Sequence, residues 1–124
     1  MQWEEVRSLA DNCIFCKIAH KEIPANLVYE DDQVVAFKDL EPQAPVHVLV
    51  IPKKHVESLL ALQPEDKELT AHILCEVVPQ LARELGVAAD GFRVVANTGE
   101  AGGQSVKHLH FHILGGRSMQ WPPG

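Results

Sequence analysis

Lys107-His108-Leu109-His110-Phe111-His112-Ile113-Leu114 alternates strictly between two kinds of side chain, and it is bracketed by Gly102-Gly103 and Gly115-Gly116. His108, His110 and His112 share one parity; Leu109, Phe111 and Ile113 share the other. A β-strand sends successive side chains to opposite faces. The spacing therefore predicts a strand with one apolar face, buried against a core, and one imidazole face. Imidazoles are not buried cheaply without partners. Three of them spread over roughly 13 Å of strand, at ~3.3 Å per residue, which is long enough to serve two neighbouring sites.

The residues just before this strand suit an anion. Asn97-Thr98-Gly99-Glu100-Ala101-Gly102-Gly103-Gln104-Ser105 is polar and glycine-rich. Glycines bring backbone N–H groups close to a ligand, and concave sets of N–H groups bind phosphate. Asn97 and Ser105 add side-chain donors. Histidine can act as a nucleophile at phosphorus as well as a base. The central His110, with an imidazole on either side, is best placed for attack. A second cluster starts at Cys13-x-x-Cys16, a spacing at which two thiolates converge on one zinc. His47, alone in an apolar segment, and His108 are the candidates to complete four ligands. The bland reading is two structural thiols on one helical turn. Cys75, on the long helix, is expected in the core.

The 124 residues suit one domain with its own core. The net charge of −6 disfavours a broad nucleic-acid surface. No apolar run is long enough to span a membrane, and the acidic start, Met1-Gln2-Trp3-Glu4-Glu5, lacks a signal-peptide pattern. The expectation is a cytoplasmic protein with no membrane or nucleic-acid partner. Three cysteines disfavour a disulfide framework.

Outward from the histidines, helical spacing of Trp3, Val6 and Leu9 predicts a short helix over 2–10, and Cys13 to Ile18 reads as a turn of helix or loop. Strands are expected over Leu27–Glu30, Gln33–Leu40, Val46–Ile51 and Gly91–Asn97, the first two as a hairpin around Asp31-Asp32. Leu69, Ile73, Val77, Leu81 and Leu85 form a stripe on one long helix from Pro64 to Leu85, closed by Gly86. Pro79 lacks an N–H for the carbonyl of Cys75, so the helix is expected to kink there. Five strands and one long helix make an antiparallel α+β domain spanning 1–124, with 1–12 as an N-terminal extension and 117–124 as a tail.

His108-Leu109-His110-Phe111-His112-Ile113-Leu114 resembles the His-x-His-x-His-x-x signature of the histidine-triad (HIT) superfamily. The surrounding matches run through Cys16-Lys17-Ile18, Glu22-Ile23-Pro24, Phe37-Lys38-Asp39, Pro42-Gln43-Ala44-Pro45, Val50-Ile51-Pro52-Lys53-Lys54-His55, Gly102-Gly103-Gln104-Ser105-Val106 and the ending Gly115-Gly116-Arg117 to Trp121-Pro122-Pro123-Gly124. Together they look like the Hint branch. That resemblance implies a five-stranded sheet continued across a homodimer. It implies hydrolysis of adenosine 5′-monophosphoramidates, with purine nucleoside monophosphates as ligands. His110 would be the nucleophile, transiently adenylylated, and His112 would contact the phosphate. Asn97, Gly103, Gln104 and Ser105 would surround the phosphate, with Ser105 near the leaving group. Asp39 would hold the ribose, Phe37 and Leu40 the base, and Trp121 would reach the partner subunit's site. The family pattern also implies a structural zinc on Cys13, Cys16, His47 and His108, and no catalytic metal. The rivals are a Fhit-like dinucleoside polyphosphate hydrolase and a zinc-stabilised nucleotide-binding protein with incidental hydrolysis.

Overall fold

The computed structural model describes residues 12–124, so the helix expected over 2–10 lies outside the described residues. Among those described, helix α1 is Ile14–Ala19; strands β1 and β2 are Leu27–Glu30 and Val34–Lys38; β3 is Val46–Pro52. The long helix follows a 3₁₀ turn at Pro64–Asp66. It runs as α2 (Lys67–Ala71), a π turn (His72–Val77) and α3 (Val78–Glu84). Strands β4 (Phe92–Val95) and β5 (Phe111–Gly115) complete one five-stranded sheet. Its order is β1-β2-β3-β5-β4, with every neighbouring pair antiparallel. This is the α+β fold that the alternating segments and the leucine stripe predict.

The strand pattern buries both faces of the sheet. One face, with Val34, Ala36, Val48, Val50, Leu109, Phe111 and Ile113, packs against Leu69, Ile73, Val77, Val78 and Leu81 of the long helix. The other face, with Val35, Phe37, Leu49 and Ile51, packs against Cys13, Phe15, Cys16, Ile18 and Ala19 around α1. That is why β2 and β3 are apolar at nearly every position, as strands covered on both sides are. Ile113 has no solvent exposure; cutting it to Ala would cost about 3 kcal/mol.

Cys75, expected in the core, is exposed, because it lies off the buried Ile73–Val77 side of the long helix. Pro79 is accommodated without breaking the helix. The wide turn at His72–Val77 spreads the backbone just before the position where the proline has no N–H to give. A polar cluster fastens this segment to the β1–β2 turn. His72 contacts Asp31 through Nε2 and Glu76 through Nδ1, both at 2.6 Å, and the Tyr29 hydroxyl donates to Asp31 at 2.5 Å. Burial opposes charge on Asp31. The hydrogen bonds from Tyr29, His72 and the N–H groups of Gln33 and Val34 outweigh it and hold the carboxyl down at about 2.

The histidine segment departs from expectation at its start. Regular ladder pairing begins only at Phe111, so His108 and His110 stand just ahead of β5. The Leu109 N–H donates to the carbonyl of Val56 instead. The alternation survives: the apolar parity faces the long helix, and the imidazole parity faces α1. His108 and His110 are buried, because Phe15 of α1 sets its ring edge-on against both, with centroids 6.0 and 5.0 Å away.

Candidate functional site

Two imidazole clusters lie along the α1 face, one at each end of the triad. At the first end, Cys13, Cys16, His55 and His108 present ligand atoms that all fall within 4.8 Å of one another. His108 Nδ1 is 3.2 Å from Cys13 Sγ and 3.5 Å from Cys16 Sγ, and His55 Nδ1 is 3.1 Å from Cys16 Sγ. Tetrahedral zinc with sulfur at 2.3 Å and nitrogen near 2.0–2.1 Å would separate such atoms by about 3.5 Å. Ring protons agree with this. His108 Nε2 lies 2.8 Å from the carbonyl of Pro52, which can only accept, so Nε2 carries the hydrogen and Nδ1 offers its lone pair to the cysteines. The N–H of Cys16 donates to Cys13 Sγ at 3.3 Å. Burial, with Cys13 beside it, pushes the Cys16 thiol up to about 12, so a thiolate pair here calls for a cation's charge. These four residues could hold a metal.

His47, expected in that set, is not there; His55 stands in its place. The antiparallel register is the reason. Val46 pairs with Gly115 and Val50 with Phe111, so continuing the ladder sets His108 opposite the far end of β3, roughly 20 Å from His47. Pro52-Lys53-Lys54-His55 turns off that end and brings His55 over, with ring centroids 4.9 Å from His108.

His47 instead belongs to the second cluster, with Asp39 and His112. The Gln43 N–H donates to His47 Nδ1 at 3.0 Å. Neutral His47 therefore carries its hydrogen on Nε2, which lies 2.9 Å from His112 Nδ1 and 3.4 Å from Asp39 Oδ2. A cation on Nε2 would leave that ring with no proton on either nitrogen, so this cluster fits a metal poorly. It is a proton-ordered chain instead. His112 Nδ1 accepts, so its hydrogen sits on Nε2, an atom that is buried without a hydrogen-bond partner among the described residues. Burial, then the neighbouring His110 and His47, lowers the His112 pKa to about 4; burial also lowers that of His47. Both rings are neutral donors at pH 7.

His110 sits between the clusters. Its Nδ1 is 2.7 Å from the carbonyl of His108, so Nδ1–H donates and the Nε2 lone pair is free. His110 and His112 line a cavity of about 280 Å³ together with Phe37, Asp39, Leu40 and Ser105. Six residues expected at a nucleotide site thus share one cavity, near the ~300 Å³ lower end of small-ligand pockets. Phe15, Ile18, Ile23 and Leu49 add its apolar wall. Ile18 and Ile23 fall within the family-matching stretches, but no pattern in the sequence marks any of the four as lining a ligand cavity, because each reads as ordinary core.

Asn97, Gly103, Gln104 and Trp121 do not line that cavity. The Gly103 N–H closes a turn on the carbonyl of Glu100, and the Gln104 N–H one on that of Gly99. The Gln104 side chain braces the loop, accepting from Gly99 N–H at 3.0 Å and donating to the carbonyls of Glu57 and Val106 at 2.7 and 2.9 Å. A Cβ at Gly102 would collide with the carbonyl of Thr98, so this glycine is demanded by the tight turn. Trp121 is 81% exposed.

Comparison with known proteins agrees with this geometry. The HIT domain family matches residues 20–119. The chain is 54% identical over 116 residues to an uncharacterized HIT-like protein of Synechocystis sp., covering 94% of this chain and all of the relative. It is 53% identical over 105 residues to Protein HitA of Neisseria gonorrhoeae, covering 85% of this chain and 96% of that one. Among solved structures, a HIT family hydrolase from Legionella pneumophila superposes with a TM-score of 0.89 at 50% identity, covering 91% of this chain and all of that one. A histidine triad protein from Clostridium difficile gives 0.84 at 51% identity, covering 88% and 94%. With its family match over residues 20–119 and two of its three triad imidazoles, His110 and His112, lining one cavity, this chain belongs to the HIT domain family.

Proposed function

We propose that this chain is a hydrolase of purine nucleoside 5′-phosphoramidates, working through a nucleotidyl group on His110. The observation that carries the reading is the fixed tautomer of His110: its Nδ1–H is held by the carbonyl of His108, leaving an Nε2 lone pair beside a cavity that also holds Asp39 and Phe37. In the first step His110 Nε2 bonds to phosphorus, the P–N bond breaks, and the amine departs with a proton taken from solvent, which the attacking water gives back in the second step. In the second, water attacks phosphorus, the P–Nε2 bond breaks, and the mononucleotide leaves. Splitting one displacement in two is the benefit of a nucleophilic residue. The His112 Nε2–H, buried without a partner among the described residues, would donate to a phosphoryl oxygen as charge builds there. Asp39 would accept from ribose hydroxyls, Phe37 and Leu40 would flank the base, and Ser105 would border the leaving group.

Cys13, Cys16, His55 and His108 would hold zinc, whose contribution is folding energy that ties α1 to the start of β5. The protein would work as a homodimer, its sheet continued edge to edge along β4, with the exposed Trp121 reaching the partner's cavity. The solved relative described as a HIT family hydrolase supports the reaction class. The reading is tested by comparing turnover of adenosine 5′-phosphoramidate and diadenosine triphosphate. Faster phosphoramidate hydrolysis is expected; faster triphosphate cleavage would favour the Fhit-like activity instead.

A further inference from the structure

We infer that Arg117, in the tail beyond β5, is a positioning residue that keeps the His112 proton on Nε2, the ring nitrogen with no hydrogen-bond partner among the described residues. This rests on the reading of His112 as a phosphate donor given above. The inference starts from a backbone turn. Gly115 pairs with Val46, and Gly116 follows at φ +87°, so close to Pro45 that a Cβ there would stand 2.9 Å from the proline Cβ. Only glycine allows that turn and that approach. It folds the chain back over the Gln43-Ala44-Pro45 loop and delivers Arg117 to it.

The guanidinium then grips one atom. Arg117 Nε and Nη2 both donate to the carbonyl of Gln43, at 3.2 and 2.9 Å, while Nη1 donates to the carbonyl of Ser118 at 3.1 Å. A forked donor set fixes position in a way one flexible ammonium does not. The residue held is the one whose own N–H donates to His47 Nδ1. From there the order of protons is forced. With Nδ1 accepting, His47 donates from Nε2 to His112 Nδ1, and His112 keeps its hydrogen on Nε2. If the Gln43 N–H swings away, His47 can carry its hydrogen on Nδ1 instead. Its bare Nε2 then faces His112 Nδ1, which must supply the proton. His112 would turn a lone pair, not an N–H, toward phosphate oxygens.

The test uses the full chain as wild type, Arg117→Ala, Arg117→Lys and Gln43→Pro. The last deletes the N–H itself and bypasses Arg117. Ring-nitrogen NMR, with His112 signals assigned by a His112→Asn variant, reads the tautomer directly. The wild type should show the Nε2–H form alone. Arg117→Ala and Gln43→Pro should add a substantial Nδ1–H population, and Arg117→Lys should restore at least part of the Nε2–H form. On adenosine 5′-phosphoramidate, kcat of Arg117→Ala should fall about fivefold with KM changed less than twofold. A folded Arg117→Ala protein with His112 wholly in the Nε2–H form would overturn the inference, and so would a Gln43→Pro protein in that form; if Arg117→Ala fails to fold, Arg117→Lys decides, its Nδ1–H share expected to lie above that of the wild type and a wholly Nε2–H form again overturning the inference. The tautomer readout needs no turnover, so an inactive wild type would count against the phosphoramidase reading alone.

Discussion

The backbone carbonyl of His108 accepts the Nδ1–H of His110 at 2.7 Å, while the His108 ring faces Cys13 and Cys16. One residue thus joins the metal-ligand cluster to the group that would attack phosphorus. Its side chain belongs to one site and its main chain to the other.

That division gives separable consequences for two histidines, buried His47 and half-buried His55. His55→Ala should abolish stoichiometric zinc binding while His47→Ala keeps it, measured as metal content after dialysis. Losing the metal should lower the thermal unfolding midpoint, because structural zinc contributes folding free energy. His47→Ala should instead lower kcat at least tenfold with the metal retained. Full zinc in His55→Ala would refute the Cys13, Cys16, His55, His108 assignment.

His112 makes stability depend on pH in a definite direction. Its folded pKa of about 4 lies below the ordinary 6.5, because burial disfavours its charged form. The unfolded chain takes up that proton near 6.5 and the folded chain only near 4. The contribution is therefore complete above about 6.5 and is lost as pH falls toward 4. It is on the order of 2–3 kcal/mol. His72 acts the other way: its pKa is raised by hydrogen bonds to Glu76 and Asp31, so its share is lost as pH rises through the folded value. Urea unfolding of wild type and His112→Asn between pH 7 and 4 should show a shallower decline in the variant. Parallel declines would count against a buried, neutral His112.

Much of this was open to reading from periodicity. The parity of the triad placed Leu109, Phe111 and Ile113 in the core and turned the imidazoles the other way, as found. Leu69, Ile73, Val77 and Leu81 marked the buried stripe of the long helix. The fourth member of the metal cluster is His55 and not His47, because parity gives a face and not a position along the strand. His47 has the right face, but antiparallel register sends it to the His112 end. The π turn was hidden because Pro79 signals distortion without saying how the backbone absorbs it. The loop donors at Gly103 and Gln104 were invisible as turn-closing groups, since their partners are carbonyls a few residues back.

The edge of the sheet bears on assembly. β4 ends the strand order, and Phe92 and Val94 on it are each 37% exposed. An unprotected apolar edge invites pairing, and a charge on it discourages pairing. Sedimentation equilibrium should find a wild-type dimer and a Val94→Lys monomer. A wild-type monomer at micromolar concentration would remove the proposed homodimer and with it the role of Trp121 across the interface.

The most direct test is intact-mass spectrometry of protein quenched milliseconds after mixing with adenosine 5′-phosphoramidate. The wild type should carry one adenylyl group, mapped by fragmentation to His110. His110→Ala should carry none and lose at least 10³-fold in turnover, roughly 4 kcal/mol of barrier. An adduct on another residue, or His110→Ala turning over within about threefold of wild type, would contradict the assignment of His110 as the nucleophile.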